Sequence, residues 1–440
     1  MRFCRLLPLP WREPADVLRR SADLPYCVGL LSDGSSEGRW SYVASDPAAV
    51  FDSLPSLAAG LVRWQSDAAS EFPPFRGGAI GLAAYEWGAS LEPAAPQERS
   101  AHWPDLAGGF YDRVYAFDHA RHEAWAIGRG DTADAAADRA DLLSRDFAAG
   151  GAAPERALSG ASFRASTSGG AYQAAVASVV ESVVSGEIFQ ANVAREWCGA
   201  LADGATPFDV LDALRRSSPA PFAGYLRLPG LALVSNSPER FMAVTAAGAV
   251  RTQPIKGTRP RGATPKQDAV NAAELLQSTK DFAENLMIVD LMRNDLARTC
   301  APGSVSVPEL CALKSFANVH HLVSTVSGRL AEGRTALDAF ACAFPPGSIT
   351  GAPKLQAMRV IARHEAPRGP YCGSLFYAGC DGAFDSSVLI RTLAFSKTAD
   401  RRWQFHVRAG AAVTSDSTPL GEDEETLAKI GAIRAALAGP

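Results

Sequence analysis

Apolar residues recur at helical spacing over 171–185, and the run stops at Gly186, the pattern of a helix with a glycine end. The same periodicity predicts a long helix over 281–298, with Ser278 and Asp281 spaced as a capping pair. Two more helices are expected, over 353–364 with Pro353 in its first turn and over 419–437 with acids near its start. Short apolar runs between turn residues read as strands at 232–234, 241–244, 248–255 and 387–395, the last carrying Arg391 in an apolar setting. Residues 1–128 show the same strand-like runs, as in FRGGAIGLAAY (75–85) and YDRVYAF (111–117). Residues 129–162 differ: 132–148 has helical character, and AAGGAAPERALSG (148–160) reads as a linker. Three stretches are thus expected: a β-rich 1–128, a helix and linker over 129–162, and a mixed 163–440.

The length of 440 residues suits that division, because one core stops growing at about 250–300 residues. Hydrophobic residues at 47% and charged residues at 20% exclude a disordered chain, and a net charge of −4 argues against a nucleic-acid binder. Eight scattered cysteines without a CxxC pair suit a reduced, cytoplasmic protein. No apolar run approaches the length of a membrane span.

Five constellations could carry chemistry. Asp281 with Glu284, and Glu422 with Glu425, are i,i+3 pairs at helix starts. If the two helices converge, their carboxylates would suit a hard cation such as Mg2+; otherwise they are solvent-facing residues that answer the helix dipole. The Gly-rich run FPPGSITGAPK (344–354) opens a helix and is either an anion site completed by Lys354 or an ordinary turn. Lys256, between an apolar strand and a Gly turn, is either a strand-end lysine or a buried nucleophile whose amine burial would deprotonate. His320 and His321 are adjacent in a strand and so point to opposite faces. One could transfer a proton or touch a substrate while the other is structural. Arg391 needs an anion, either an internal acid or a ligand carboxylate.

The order of motifs adds to this. GEIFQ (186–190), SPERF (237–241), PIKGTRPRG (254–262), AENLMIVDLMRNDLART (283–299), HHLVSTVSG (320–328), FPPGSITGAPK (344–354), RGPYCGSLFYAG (368–379), IRT (390–392) and GEDEETLAK (421–429) resemble the chorismate-utilising enzymes. That family includes anthranilate synthase and aminodeoxychorismate synthase large subunits. The resemblance implies an α+β fold of the anthranilate synthase large-subunit type, with large antiparallel sheets packed as a sandwich and helices outside. Gln190 stands where the water-using members carry a lysine base, and Lys256 stands where anthranilate synthases carry alanine. Together with Asn285, these positions resemble the aminodeoxychorismate synthase branch.

That branch implies amination of chorismate to 4-amino-4-deoxychorismate, a precursor of p-aminobenzoate and folate, with ammonia from a glutamine amidotransferase subunit. By the resemblance, Lys256 is the nucleophile, Glu239 the general acid, and His321, Thr350 and Gly351 line the ring pocket. Tyr371, Arg391 and the backbone at Gly410 would hold the enolpyruvyl carboxylate, with Lys429 near the ring carboxylate. Magnesium would sit on Glu284 and Glu425, supported by Asp281 and Glu422. The resemblance also implies an amino-acid pocket in the N-terminal stretch, although SPAPF (218–222) departs from the usual pattern there. Ala412 replaces a glycine common in the family. Anthranilate synthase component I is the alternative enzyme, and a non-catalytic carboxylate-binding homologue is the alternative of another class.

Overall fold

The computed structural model describes residues 3–35, 37–66, 72–150, 158, 160–315 and 319–438. Two antiparallel sheets, of twelve and ten strands, face each other. The first runs from Phe3–Leu9 through Val28–Leu31, Phe222–Leu228, Leu231–Ser237, Thr392–Lys397 and Trp403–Val413 to Gln190–Ala200. The second runs from Ile255–Pro260 through Val319–Arg329, Arg240–Val244, Phe384–Val388 and Ser374–Gly379 to Gly78–Ala83 and beyond.

Between the sheets lies a core of Val28, Tyr42, Ile80, Leu226, Leu233 and Leu375, drawn from both. Helices cover the outer faces. Pro207–Ser217 and Pro419–Ala438 pack on the first sheet, and Thr279–Ala297 and Ala336–Ala343 on the second. The fold is therefore the expected α+β sandwich with helices outside.

The helices fall close to where periodicity places them: Gly169–Val184, Thr279–Ala297, Lys354–His364 and Pro419–Ala438. Ser278 caps the second by accepting from the Asp281 amide at 3.2 Å. Ala133–Ala149 forms as expected, while 151–157 and 159 of the expected linker lie outside the described residues.

The three stretches do not divide the sheets. Val28–Leu31 pairs with Phe222–Leu228 in the first, and Gly78–Ala83 with Ser374–Gly379 in the second. Both ladders join residues of 1–128 to residues of 163–440, because an open sheet edge in either stretch is satisfied by the other.

The strand expected over 387–395 is two strands. Phe384–Val388 lies in the second sheet and Thr392–Lys397 in the first, with Arg391 between them at φ 51°. A left-handed residue ends the extended run and lets the chain change sheets. A second crossing lies beside it, where Leu231–Ser237 of the first sheet leads to Arg240–Val244 of the second. The crossings are laced together: Val388 N–H donates to the Glu239 carbonyl at 3.0 Å, and Asn236 N–H to the Arg391 carbonyl at 3.1 Å.

Candidate active site

Those paired crossings place Glu239 and Arg391 side by side in the chain path. Glu239 is buried, and the Ser348 hydroxyl donates to its Oε1 at 2.6 Å. Burial drives its carboxyl up to about 7, against the pull of the Ser348 hydrogen bond and the nearby Lys256 charge. Near neutral pH it is thus poised to give or take a proton.

Lys256 lies on the edge strand Ile255–Pro260, opposite Leu322. The pairing slips between Lys256 and Thr258, where Gly257 takes φ 72°. This is a bulge with a left-handed glycine, a device that re-aims the neighbouring side chain. The amine is buried and its pKa lowered by desolvation, which the charges of Glu284, Glu239 and Glu425 oppose and that of Lys429 assists. Lys256 is thus buried rather than an exposed strand-end lysine.

His321 lies across the bulge. Its Nδ1 is 2.9 Å from Thr258 Oγ1 and 3.2 Å from the Gly257 carbonyl. A carbonyl only accepts, so Nδ1 carries the proton and Nε2 the lone pair. Burial holds the ring down to about 4, so it is neutral at pH 7. His320 faces the other way, to Ser315 Oγ at 2.8 Å and Asp268 at 2.9 Å, and is the structural member of the pair.

Arg391 is largely enclosed, and desolvation alone pushes its pKa down. Among the described residues no carboxylate lies within 4 Å of it, so an internal acid is not its partner. Tyr371 is buried nearby, on a segment tied to Arg391's by the Cys372 N–H bond to the Leu389 carbonyl. A Cβ on Gly410 would lie 2.5 Å from Asn192 Oδ1 and 3.0 Å from the Tyr371 hydroxyl oxygen, so only glycine leaves that space open. Lys429 reaches across from the last helix, donating to the Gly410 carbonyl at 2.8 Å and pairing with Glu425 at 2.6 Å.

Gln190 begins the strand Gln190–Ala200, paired with Ala352, and Gly351 pairs with Ala191. Gln190 is fully buried, yet neither end of its amide has a hydrogen-bond partner, and Asn192 Oδ1 lacks one too. Thr350 is also fully buried, and its hydroxyl donates to the Pro346 carbonyl at 2.9 Å, which leaves its oxygen able only to accept from a ligand.

The two acidic helix starts converge. Lys280 lies 3.9 Å from Glu284 and 4.0 Å from Glu422, bridging the helices. Asp281 instead turns to Arg259 at 3.4 Å. Among the described residues no three His, Cys, Asp or Glu side chains come close enough together to hold a metal ion by themselves. The donor chemistry nevertheless suits a hard cation. Burial raises Glu284 and Glu422, and the charge of Glu425 raises both further. Burial also pushes Glu425 upward, but Lys429, Lys256 and Lys280 together hold the group low. Acids that resist sharing a space in this way favour a cation between them.

Lys354 does not complete an anion site at the Gly-rich run. Lys354 is spent on Asp295 at 2.7 Å and on the Ala343 carbonyl at 2.5 Å. Ser348 of the same run is the residue that matters to the site, and sequence reading passed over it. Its signal was a hydroxyl in the run, but nothing local points to a glutamate 109 positions away.

A cavity of about 690 Å3 lies elsewhere, lined by Leu31, Phe222, Asp385 and Arg240 among others. Glu37 at its wall accepts from Arg240 at 3.0 Å, Lys314 at 2.9 Å and Gln253 at 3.1 Å. Neither Glu239 nor Lys256 lines it. Among the described residues, no helix is long and apolar enough to cross a membrane.

Known proteins are similar to this chain in sequence and fold. Aminodeoxychorismate synthase component 1 of Klebsiella aerogenes is 39% identical over 364 residues, 82% of this chain and 77% of that protein. Anthranilate synthase component 1 of Thermus thermophilus is 38% identical over 82% of this chain and 78% of its own. Among solved structures, anthranilate synthase component I from Streptococcus pneumoniae superposes with a TM-score of 0.80 at 26% identity, covering 91% of this chain and 93% of that one. Residues 33–435 match the family described as chorismate binding enzyme, and the chain belongs to that family.

Proposed function

We propose that this chain aminates chorismate at ring carbon 4, acting as an aminodeoxychorismate synthase component I. The observation that carries the reading is Lys256, a buried amine whose pKa desolvation lowers, set among carboxylates that include the near-neutral acid Glu239. Relatives of both activities are similar at nearly equal identity, so overall likeness does not choose between them. Lys256 does, because it stands where the resemblance puts alanine in the anthranilate branch.

In this reading Glu239 gives its proton to the 4-hydroxyl, which leaves as water. The Lys256 lone pair bonds to ring carbon 2 as the two ring double bonds shift toward carbon 4. Ammonia then bonds to carbon 4, the double bonds shift back, and the carbon–nitrogen bond to Lys256 breaks. The net change is chorismate plus ammonia to 4-amino-4-deoxychorismate plus water. Gln190, a neutral amide, cannot deprotonate water, which protects the adduct from hydrolysis. His321, held neutral by burial, lines the ring pocket. Arg391 and Tyr371 hold the enolpyruvyl carboxylate.

Glu284 and Glu425, backed by Glu422, would hold magnesium, which when bound supplies positive charge to the ring carboxylate, and Asp281, paired with Arg259, would reach it only through water. A glutamine amidotransferase subunit would supply the ammonia, in keeping with the "component 1" name of the relatives. Eight free thiols suit a reducing, cytoplasmic compartment.

The test is incubation with chorismate, magnesium and ammonium, with the product identified by mass spectrometry. 4-Amino-4-deoxychorismate supports the reading. Fluorescent anthranilate would establish the anthranilate synthase alternative, and no consumption with an active glutaminase partner present would favour a non-catalytic homologue.

A further inference from the structure

The strand Gln190–Ala200 alternates sharply at its start. Ala191 and Val193 enter an apolar cluster with Tyr172 and Val360. Gln190 and Asn192 therefore share the opposite face. Asn192 is nine-tenths buried, and its Oδ1 has no hydrogen-bond partner. That is rare for a buried amide, and it is the signature of a group whose partner is a ligand.

Its neighbours say which part of a ligand. Asn192 Oδ1 and the Tyr371 hydroxyl both hang over Gly410, where a Cβ would meet them at 2.5 and 3.0 Å. Arg391, on the adjoining crossing, is a desolvated guanidinium with no acid against it among the described residues. A half-turn of the amide exchanges oxygen for nitrogen, so the same side chain can offer two N–H groups at that place. Ala412 lies directly across the ladder from Asn192.

We propose that Asn192 is a substrate-binding residue that donates Nδ2–H to the enolpyruvyl carboxylate of chorismate, completing the cradle of Tyr371 and Arg391 over Gly410. The inference rests on chorismate being the substrate, as read above. It assigns to Asn192 a part that the motifs do not reveal.

The experiment is steady-state kinetics and chorismate titration calorimetry on Asn192→Ala, Asn192→Ser and Asn192→Asp, with ammonium as the nitrogen source and thermal melts as a check on folding. The KM and Kd for chorismate should rise about tenfold in Asn192→Ala and further in Asn192→Asp, which sets a negative charge against a carboxylate. The KM for ammonium should stay within about twofold of wild type. Combined with Arg391→Met, the Asn192→Ala effect should shrink, because both act on one carboxylate. Unchanged chorismate affinity in either folded neutral variant overturns the proposal. So does a rise confined to the ammonium KM, which would give the amide to the nitrogen nucleophile instead. Wild-type protein that neither binds nor consumes chorismate strikes the functional reading itself; an active wild type with indifferent variants strikes only the role of Asn192.

Discussion

Ser348 Oγ stands 2.6 Å from Oε1 of Glu239, donating its hydrogen to a buried carboxyl group whose pKa has climbed to about 7. The bond favours the ionised form and works against burial, so it sets how far the pKa rises.

Ser348→Ala should therefore raise the Glu239 pKa. A general acid must be protonated, so wild-type kcat/KM should fall as pH rises through about 7. In Ser348→Ala that fall should move to higher pH, with a lower maximum because the carboxyl group is less firmly oriented. A pH–rate profile decides it: superimposable alkaline limbs would mean that Ser348 does not tune Glu239.

Lys256→Met should abolish the lysine adduct and lower turnover by about a thousandfold or more. The same change should stabilise the fold. Desolvation lowers the Lys256 pKa in the native state, so between its folded and unfolded pKa values the unfolded chain binds more protons at this site. Stability at this position thus rises with pH until the unfolded lysine also loses its proton. Methionine removes that dependence and should raise Tm most at neutral and acidic pH. Intact-mass analysis of quenched reactions and melts across pH test both halves, and retained adduct formation would remove Lys256 from the chemistry.

Arg391 makes a similar exchange. It is enclosed without an acid partner among the described residues, so its charge costs the free protein stability that a carboxylate ligand returns. Arg391→Met should raise Tm in the absence of chorismate and raise the chorismate KM about tenfold to a hundredfold. A variant that loses stability and keeps its KM would place an internal partner on Arg391 after all.

What the sequence could and could not disclose follows from the range of each signal. Helix ends are written locally: Ser278 caps its own helix, and the acids of 419–437 begin theirs, so these elements were legible to within a few residues. Apolar alternation reports burial but not φ, so Arg391's left-handed turn and the change of sheets were invisible in 387–395. Pairings over long separations were hidden as well. Ser348 belongs to Glu239 and Lys354 to Asp295, although both sit in one run that reads as a ligand loop. The motif order named the candidate side chains. Only the fold showed that Glu239 and Arg391 stand on neighbouring crossings.

The Lys354–Asp295 pair is structural, and its loss should show in stability rather than in substrate affinity. Both groups are largely buried, and desolvation lowers the lysine and raises the aspartic acid. Lys354→Met leaves Asp295 buried without its cation, a change that typically costs about 3–5 kcal/mol. The double variant Lys354→Met with Asp295→Leu should recover most of that loss. Urea unfolding of the three proteins measures it, and a single variant as stable as wild type would show that the pair contributes nothing.

Lys280 offers the most direct test of the magnesium site. Its ammonium lies between Glu284 at 3.9 Å and Glu422 at 4.0 Å, where a divalent ion between the helices would feel its repulsion. Lys280→Met should therefore lower the magnesium concentration needed for half-maximal rate. The sign depends on pH. Burial raises the pKa of both glutamates and Lys280 lowers it, so the variant's carboxyl groups hold their protons to higher pH. Toward lower pH that extra protonation opposes metal binding, whereas toward higher pH the lost repulsion dominates. The gain should accordingly appear at pH 8 and shrink toward pH 6, while Glu284→Gln should raise the magnesium requirement at both. Magnesium titrations of the three proteins at the two pH values decide the matter. An unchanged half-saturating concentration in Lys280→Met and Glu284→Gln alike would place the divalent ion away from these helices.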